Sequence, residues 1–210
     1  MGHVTAMQRD IKAVIQPQIK GVIFDLDGTL VSSSLDFSII KAQIGCPHDQ
    51  DLLTYIENLP SPYMREEAMH IVHQHELMDA QHSQVLPGVQ ESLEQLDKLG
   101  IPMAIVTRNY GKAAELKLKQ CAISISHLIT RDDAPAKPDP TALLDIAKQW
   151  GFNAEHCIYV GDYLYDIQAA HNASMRACFY APDDVPTYAT EAQYILRHFN
   201  ELPELILAHR

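Results

Sequence analysis

The sequence predicts an α/β fold, a parallel sheet covered by helices on both faces, with a small all-helical unit inserted near its start. Three observations carry this. Apolar runs at 21–26, 101–107, 157–161 and 175–180 alternate with helix-patterned stretches, as strands joined by crossover helices do. Runs such as Ile101 to Val106 are continuously apolar rather than alternating, which suits strands buried on both sides. The stretch 35–84 breaks the rhythm, being rich in Met, His, Gln and Tyr and lacking a good strand candidate. A chain of 210 residues buries about 70% of its unfolded surface, enough for one sizeable core plus a small accessory unit without covalent staples.

The elements follow in order. Residues 1–18 have some helical periodicity that Pro17 interrupts, and no function is assigned to this N-terminal extension. The first strand runs from Gly21 into Asp25-Leu26-Asp27-Gly28-Thr29. Two to four helices are expected across 35–84. The next helix is well marked: Val89, Leu93, Leu96 and Leu99 share a face, Pro87 stands at its entrance and Gly100 ends it. The strand ending at Val106 delivers Thr107, and a weaker strand candidate covers Ser126 to Thr130. After Lys137 a helix begins with Asp139 as candidate N-cap and Pro140 at the first helical position. Strands at 157–161 and 175–180, a short edge strand at Tyr194 to Leu196 and a helix from Leu202 to Leu207 complete the chain.

Bulk properties exclude several functions. A formal net charge of −11 argues against nucleic acid as a partner, because such binding draws most of its affinity from a basic face. No apolar run approaches the roughly 20 residues of a membrane span, and no apolar leader opens the chain, so a cytoplasmic protein with no membrane partner is expected. Cys46, Cys121, Cys157 and Cys178 are scattered without a CxxC pair and read as reduced thiols.

The chemistry is concentrated where strands end. In an open parallel sheet, ligands bind beyond the carboxyl ends of the strands, and Asp25, Asp27, Thr107 and Asp162 all fall there. An apolar strand that delivers two carboxylates one residue apart is costly to fold unless a cation or ligand meets them. Thr107 offers a hydroxyl, and Arg108 and Asn109 offer N–H groups, that could cradle an anion; a threonine packed at a strand end is the plain alternative. Lys137 sits in a stiff Ala-Lys-Pro-Asp-Pro loop and supplies a compact positive charge. Asp162 and Asp166, four apart at a strand-to-helix junction, can face one cation, or can serve as an N-cap and a first-turn acid. Oxygen ligands without Cys or His suit Mg²⁺.

Asp-x-Asp-Gly-Thr at 25–29, Thr107, Lys137, and Asp162 with Asp166 resemble, in order, the four motifs of the haloacid dehalogenase superfamily of phosphotransferases. The resemblance implies a Rossmann-like, three-layer core at 19–34 and 85–210 with a helical cap at 35–84, and a phosphatase branch similar to the phosphoglycolate phosphatases. It assigns the nucleophile, which becomes an aspartyl-phosphate, to Asp25 and the proton carrier to Asp27. It implies Mg²⁺ held by the Asp25 and Asp162 carboxylates and the Asp27 carbonyl, with Asp166 supporting, and a small phosphorylated metabolite as substrate. A dehalogenase is disfavoured because those relatives lack the second aspartate; a phosphomutase similar to β-phosphoglucomutase is the nearer rival, and a non-catalytic phosphate-binding regulator a more distant one. Two departures stand out. Val31-Ser32-Ser33 occupies a place where relatives often have Val-Asp-Ser, which puts inherited hinge contacts in doubt. Bulky Tyr163 and Tyr165 flank Leu164 in the fourth motif, where they could narrow the entrance or stack on a substrate.

Two features of the insertion are weaker. His70, His73, His75 and His82 crowd one stretch without the partners of a metal site and are expected on an exposed helix face. Arg65 either clamps a second anionic group of the substrate or pairs with neighbouring acids.

Overall fold

The computed structural model describes residues 18–210, so the expected N-terminal extension lies, but for Gln18, outside the described residues. Six parallel strands form one sheet: β1 (Gly21–Phe24), β2 (Met103–Val106), β3 (Leu128–Ile129), β4 (Cys157–Gly161), β5 (Arg176–Tyr180) and β6 (Tyr194–Leu196), in the order β3-β2-β1-β4-β5-β6. The register of β1 places Val22 opposite Met103 on one side and Ile158 on the other, which makes β1 a central strand.

Continuous apolarity in the strands has the expected cause. Val22, Phe24, Ile105, Ile158 and Val160 join one core, with Leu93, Leu96, Phe199 and Ile206. Ile23, Ala104, Val106 and Tyr159, the alternating residues, join a second core on the opposite face with Leu143, Ile146 and Ile167. Of the helices, α4 (Val89–Lys98) and α8 (Leu202–Ala208) cover the first face and α6 (Thr141–Trp150) and α7 (Leu164–Asn172) the second, while α5 (Gly111–Gln120) follows β2. The start of α6 differs from expectation by one residue: Pro140 is the cap, and the Asp139 carboxylate accepts the Thr141 N–H (2.9 Å) from one position further out.

Between β1 and α4 the chain forms only helices, α1 (Phe37–Ile44), α2 (Leu52–Glu57) and α3 (Pro62–Ala80). Asp36, Asp51 and Ser61 cap their N-termini by accepting backbone N–H groups, so each start is fixed locally. Ile40, Cys46, Leu52, Ile56, Ala68 and Val72 give these helices a core of their own. The chain enters and leaves them side by side. Val31 bridges Val85, Ser32 N donates to the Gln84 carbonyl (2.8 Å), and Leu86 N donates to the Leu30 carbonyl (3.0 Å). Among the described residues no helix is long and apolar enough to cross a membrane.

Candidate active site

The strand order reverses its direction of growth between β1 and β4, and the crevice beyond their carboxyl ends is where such a sheet accepts ligands. Asp25 follows β1, Asp162 follows β4, Thr107 follows β2, and Lys137 lies on the loop beyond β3. The fold thus gathers side chains separated by more than a hundred residues.

One half of the site is built around Lys137. Its buried ammonium donates to Asp25 Oδ1 (2.6 Å), Asp166 Oδ1 (2.7 Å) and the Tyr159 hydroxyl (2.7 Å), three acceptors for three N–H bonds. Tyr159 in turn donates to the Val106 carbonyl (2.9 Å). The second oxygen of Asp166 accepts the backbone N–H groups of Asp162 (3.1 Å) and Tyr163 (2.9 Å) at the start of α7. A Cβ on Gly161 would lie 2.3 Å from Asp166 Cγ, so glycine is what lets that carboxylate fold back. Gly28 has the same role for Asp162: its φ is +78°, and a Cβ there would lie 2.3 Å from Asp162 Oδ2. Thr29 donates its hydroxyl to the other Asp162 oxygen (3.1 Å).

Oxygens of Asp25, Asp162 and Asp166 lie within 4.8 Å of one another. Three carboxyl groups thus share one site with a single ammonium, which bonds two of them. Burial, reinforced by Asp166 and Asp162 and opposed by Lys137, raises the Asp25 carboxyl well above the usual range. Burial and the neighbouring Asp166 push Asp162 up to about 7, against the Thr29 hydroxyl and Lys137. A set of hard oxygens whose ionisation is held back by burial, and further by mutual repulsion, fits a divalent cation, which would relieve both groups at once.

Asp27 faces a different set of partners. Its Oδ2 accepts the Asn109 side-chain N–H (2.6 Å) and its Oδ1 accepts the ammonium of Lys117. Lys117, wholly buried on α5, also donates to Asp79 Oδ2 (2.6 Å) near the end of α3. Asp79 accepts from Ser34 N (2.6 Å), the Ser34 hydroxyl (2.9 Å) and the Ser33 hydroxyl (2.9 Å). Asp79, in the last turn of α3, thus brings a carboxylate to Ser33 and Ser34. Burial raises the Asp27 carboxyl although Lys117 opposes it. For Lys117 burial disfavours the charge, but Asp27 and Asp79 outweigh it and hold the ammonium above its usual value. Neither Lys117 nor Asp79 stands out in any motif. The available signal was periodic: Ala113, Ala114 and Lys117 form the inner face of α5, and a lysine at a core position is rarely buried without partners.

The loop after β2 joins the two halves. Thr107 is buried, and its Oγ1 accepts the Asn109 N–H (3.1 Å). The Arg108 guanidinium spans to the insertion: it donates to Asp51 Oδ2 (2.6 Å) and the Lys137 carbonyl (2.6 Å) and lies 4.4 Å over the Tyr165 ring. Arg131 grips Glu76 of α3 with two hydrogen bonds (2.5 and 2.6 Å) and donates to the Arg108 carbonyl (2.6 Å). The expected exposed histidine face holds for His70 and His82 only. His73 and His75 are half-buried; the His73 ring stacks on Tyr110 with centroids 3.9 Å apart, and His75 bonds Gln43 (2.8 Å), because α3 lies between the core and its own sister helices. Among the described residues these histidines form no metal-ligand group. Arg65 is not brought to the cluster; its guanidinium donates to the Leu59 carbonyl (2.5 Å) inside the insertion.

Known proteins resemble this chain in sequence and in fold. The family described as haloacid dehalogenase-like hydrolase matches residues 38–180. A haloacid dehalogenase-like hydrolase domain-containing protein of Arabidopsis thaliana is 28% identical over 207 residues, covering 90% of this chain and 84% of its own. A phosphoglycolate phosphatase of Pseudomonas savastanoi pv. phaseolicola is 31% identical over 185 residues, covering 76% of this chain and 68% of its own. The crystal structure of a hydrolase from Pseudomonas syringae superimposes with a TM-score of 0.76 at 22% identity, covering 91% of this chain and all of that one, which shows the same fold.

Proposed function

The chain belongs to the haloacid dehalogenase-like hydrolases, and from that premise we propose that it hydrolyses a small phosphomonoester through an aspartyl-phosphate, an acyl phosphate formed on Asp25, with Mg²⁺ as cofactor. The observation that carries the reading is the separation of two carboxylates two residues apart. Asp25 belongs to the anionic cluster with Lys137, whereas Asp27 is held by Asn109 and Lys117. In this reading the first serves as nucleophile and the second as proton carrier.

In the first step an Asp25 oxygen bonds to phosphorus while the bond from phosphorus to the ester oxygen breaks, and the Asp27 carboxyl gives its proton to that departing oxygen. In the second, the Asp27 carboxylate takes a proton from water as the water oxygen bonds to phosphorus. The Asp25 oxygen leaves, and inorganic phosphate is released. Lys137 neutralises Asp25 and the transferring group, and Asp166 keeps Lys137 in place. The Thr107 hydroxyl and the Arg108 N–H offer donors to the phosphoryl oxygens. The Asp25 and Asp162 carboxylates and the Asp27 carbonyl would hold Mg²⁺, which when bound supplies positive charge against the developing charge on phosphate.

In this reading residues 35–84 act as a cap over a catalytic core formed by 19–34 and 85–210. Three ion pairs support it, Asp51 with Arg108, Glu76 with Arg131 and Asp79 with Lys117, each joining an insertion helix or its cap residue to a core element. A cytoplasmic setting agrees with four buried, free cysteines. Phosphoglycolate is the first substrate to test because a relative carries that activity in its name. The test is phosphate release with Mg²⁺ from phosphoglycolate, sugar phosphates, nucleotides and p-nitrophenyl phosphate. Release that disappears in Asp25→Asn is the expected outcome; no release by the unaltered protein, or release unchanged in that variant, overturns the reading. Isomerisation of a sugar phosphate without net release would select a mutase.

A further inference from the structure

The buried ammonium of Lys117 has no place in the phosphotransfer scheme above, yet it touches one of its reacting groups. It lies wholly inside the protein, on the face of α5 turned to α3, and its two carboxylate partners belong to different parts of the chain. Asp27 is at the reaction centre. Asp79 is near the end of α3, where the chain leaves the insertion, and it fastens Ser33 and Ser34, where the chain enters it. A single lysine therefore connects both strands of the hinge to the proposed proton carrier.

The alternative use of Lys117 is plain stability. A buried ion pair is a weak source of it, because the desolvation of the charges offsets most of their attraction, and an apolar side chain at this helix position would pack with Ala113 and Ala114. What an apolar residue would not do is fix the Asp27 side chain. With Oδ1 bonded to Lys117 and Oδ2 to Asn109, the Asp27 carboxylate has one orientation, and one of its two anchors, Lys117, is itself bonded to Asp79 of the insertion.

We propose that Lys117 is a positioning residue that couples the hinge of the helical insertion to the orientation of Asp27, so that proton transfer to the leaving group is competent only when Asp79 and its serine partners are seated. The proposal rests on the reading of Asp27 as proton carrier and adds a residue and a route of control to it.

Leaving-group dependence separates this from a structural role. A good leaving group such as p-nitrophenolate departs without much protonation, whereas an alkoxide needs the proton, and kcat/KM reports the step in which it departs. In Lys117→Met, kcat/KM for an alkyl phosphomonoester falls about tenfold or more beyond the fall for p-nitrophenyl phosphate, since general acid catalysis contributes about a hundredfold or more. Asp79→Asn, which keeps an acceptor for Ser34, moves the ratio in the same direction. Because Lys117→Met leaves Asp79 buried without a counter-charge, the double variant Lys117→Met/Asp79→Asn secures a folded protein for the same assay. Equal losses for both substrates overturn the proposal. Hydrogen exchange supplies a second arm that needs no turnover: exchange of the Ser34 amide quickens in Lys117→Met, and unchanged exchange there also overturns the coupling. If the unaltered protein releases no phosphate at all, the hydrolase reading fails while the exchange arm still decides whether Lys117 secures the hinge.

Discussion

Two buried lysines organise this site, and they differ in what they are attached to. Lys137 is bonded to Asp25, Asp166 and Tyr159, all carried by the sheet or the first turn of α7. Lys117 is bonded to Asp27 and to Asp79, the latter on the last helix of the insertion. The Lys137 side of the site is therefore tied to core elements alone, whereas the Lys117 side also reaches the insertion, which has a small core of its own.

The largest expected effect breaks the comparison at its two carboxylates. Asp25→Asn removes the proposed nucleophile and should lower phosphate release by about a thousandfold or more, whereas Asp27→Asn, which removes the proposed proton carrier, should cost about a hundredfold to a thousandfold. Stopped assays on folded protein, checked by circular dichroism, measure both; equal losses would erase the division of labour. Next comes Lys137→Met. It leaves Asp25, Asp162 and Asp166 without their counter-charge and should destabilise the metal-free protein by about 3 kcal/mol, with saturating Mg²⁺ recovering part of that in thermal denaturation.

A smaller effect concerns pH. Asp162, at about 7 when folded, against about 3.9 when unfolded, makes the folded protein bind a proton that the unfolded chain has released. Its contribution to stability is thus full below about pH 4 and is lost as pH rises through about 7. Without metal, the temperature midpoint of unfolding should drop as pH rises from about 4 to about 7, less so in Asp162→Asn, and Mg²⁺ should remove the drop by stabilising the ionised form. A profile identical in the variant would mean that Asp162 is not the group responsible. The smallest effect is expected of Arg65→Ala: its bond to the Leu59 carbonyl lies within the insertion, so KM should change by less than about twofold and stability by about 1 kcal/mol or less.

Legibility from sequence followed the same division. The Lys137 side was readable because its residues sit at strand ends, where a continuous apolar run stops at a carboxylate or a hydroxyl and the sheet's geometry dictates convergence. The strand at Leu128–Ile129 was faint because an edge strand of two half-buried residues needs little apolar sequence. The Lys117 side was not readable. It depends on which face of α5 meets α3, a matter of tertiary packing, and a lysine in a helix with Lys112 and Lys119 looks like any solvated one. His73 was misplaced for the same reason, since α3 buries residues on two sides, against the core and against α1 and α2.

The linker ribbon in which Val31 meets Val85 has a consequence for how such proteins diversify. A unit whose two ends leave the core at neighbouring points can be lengthened, shortened or exchanged as a cassette without altering the path of any strand. In this chain the exchange would not go unnoticed by the core, because a replacement cassette lacking a carboxylate at the place of Asp79 would orphan one side of Lys117.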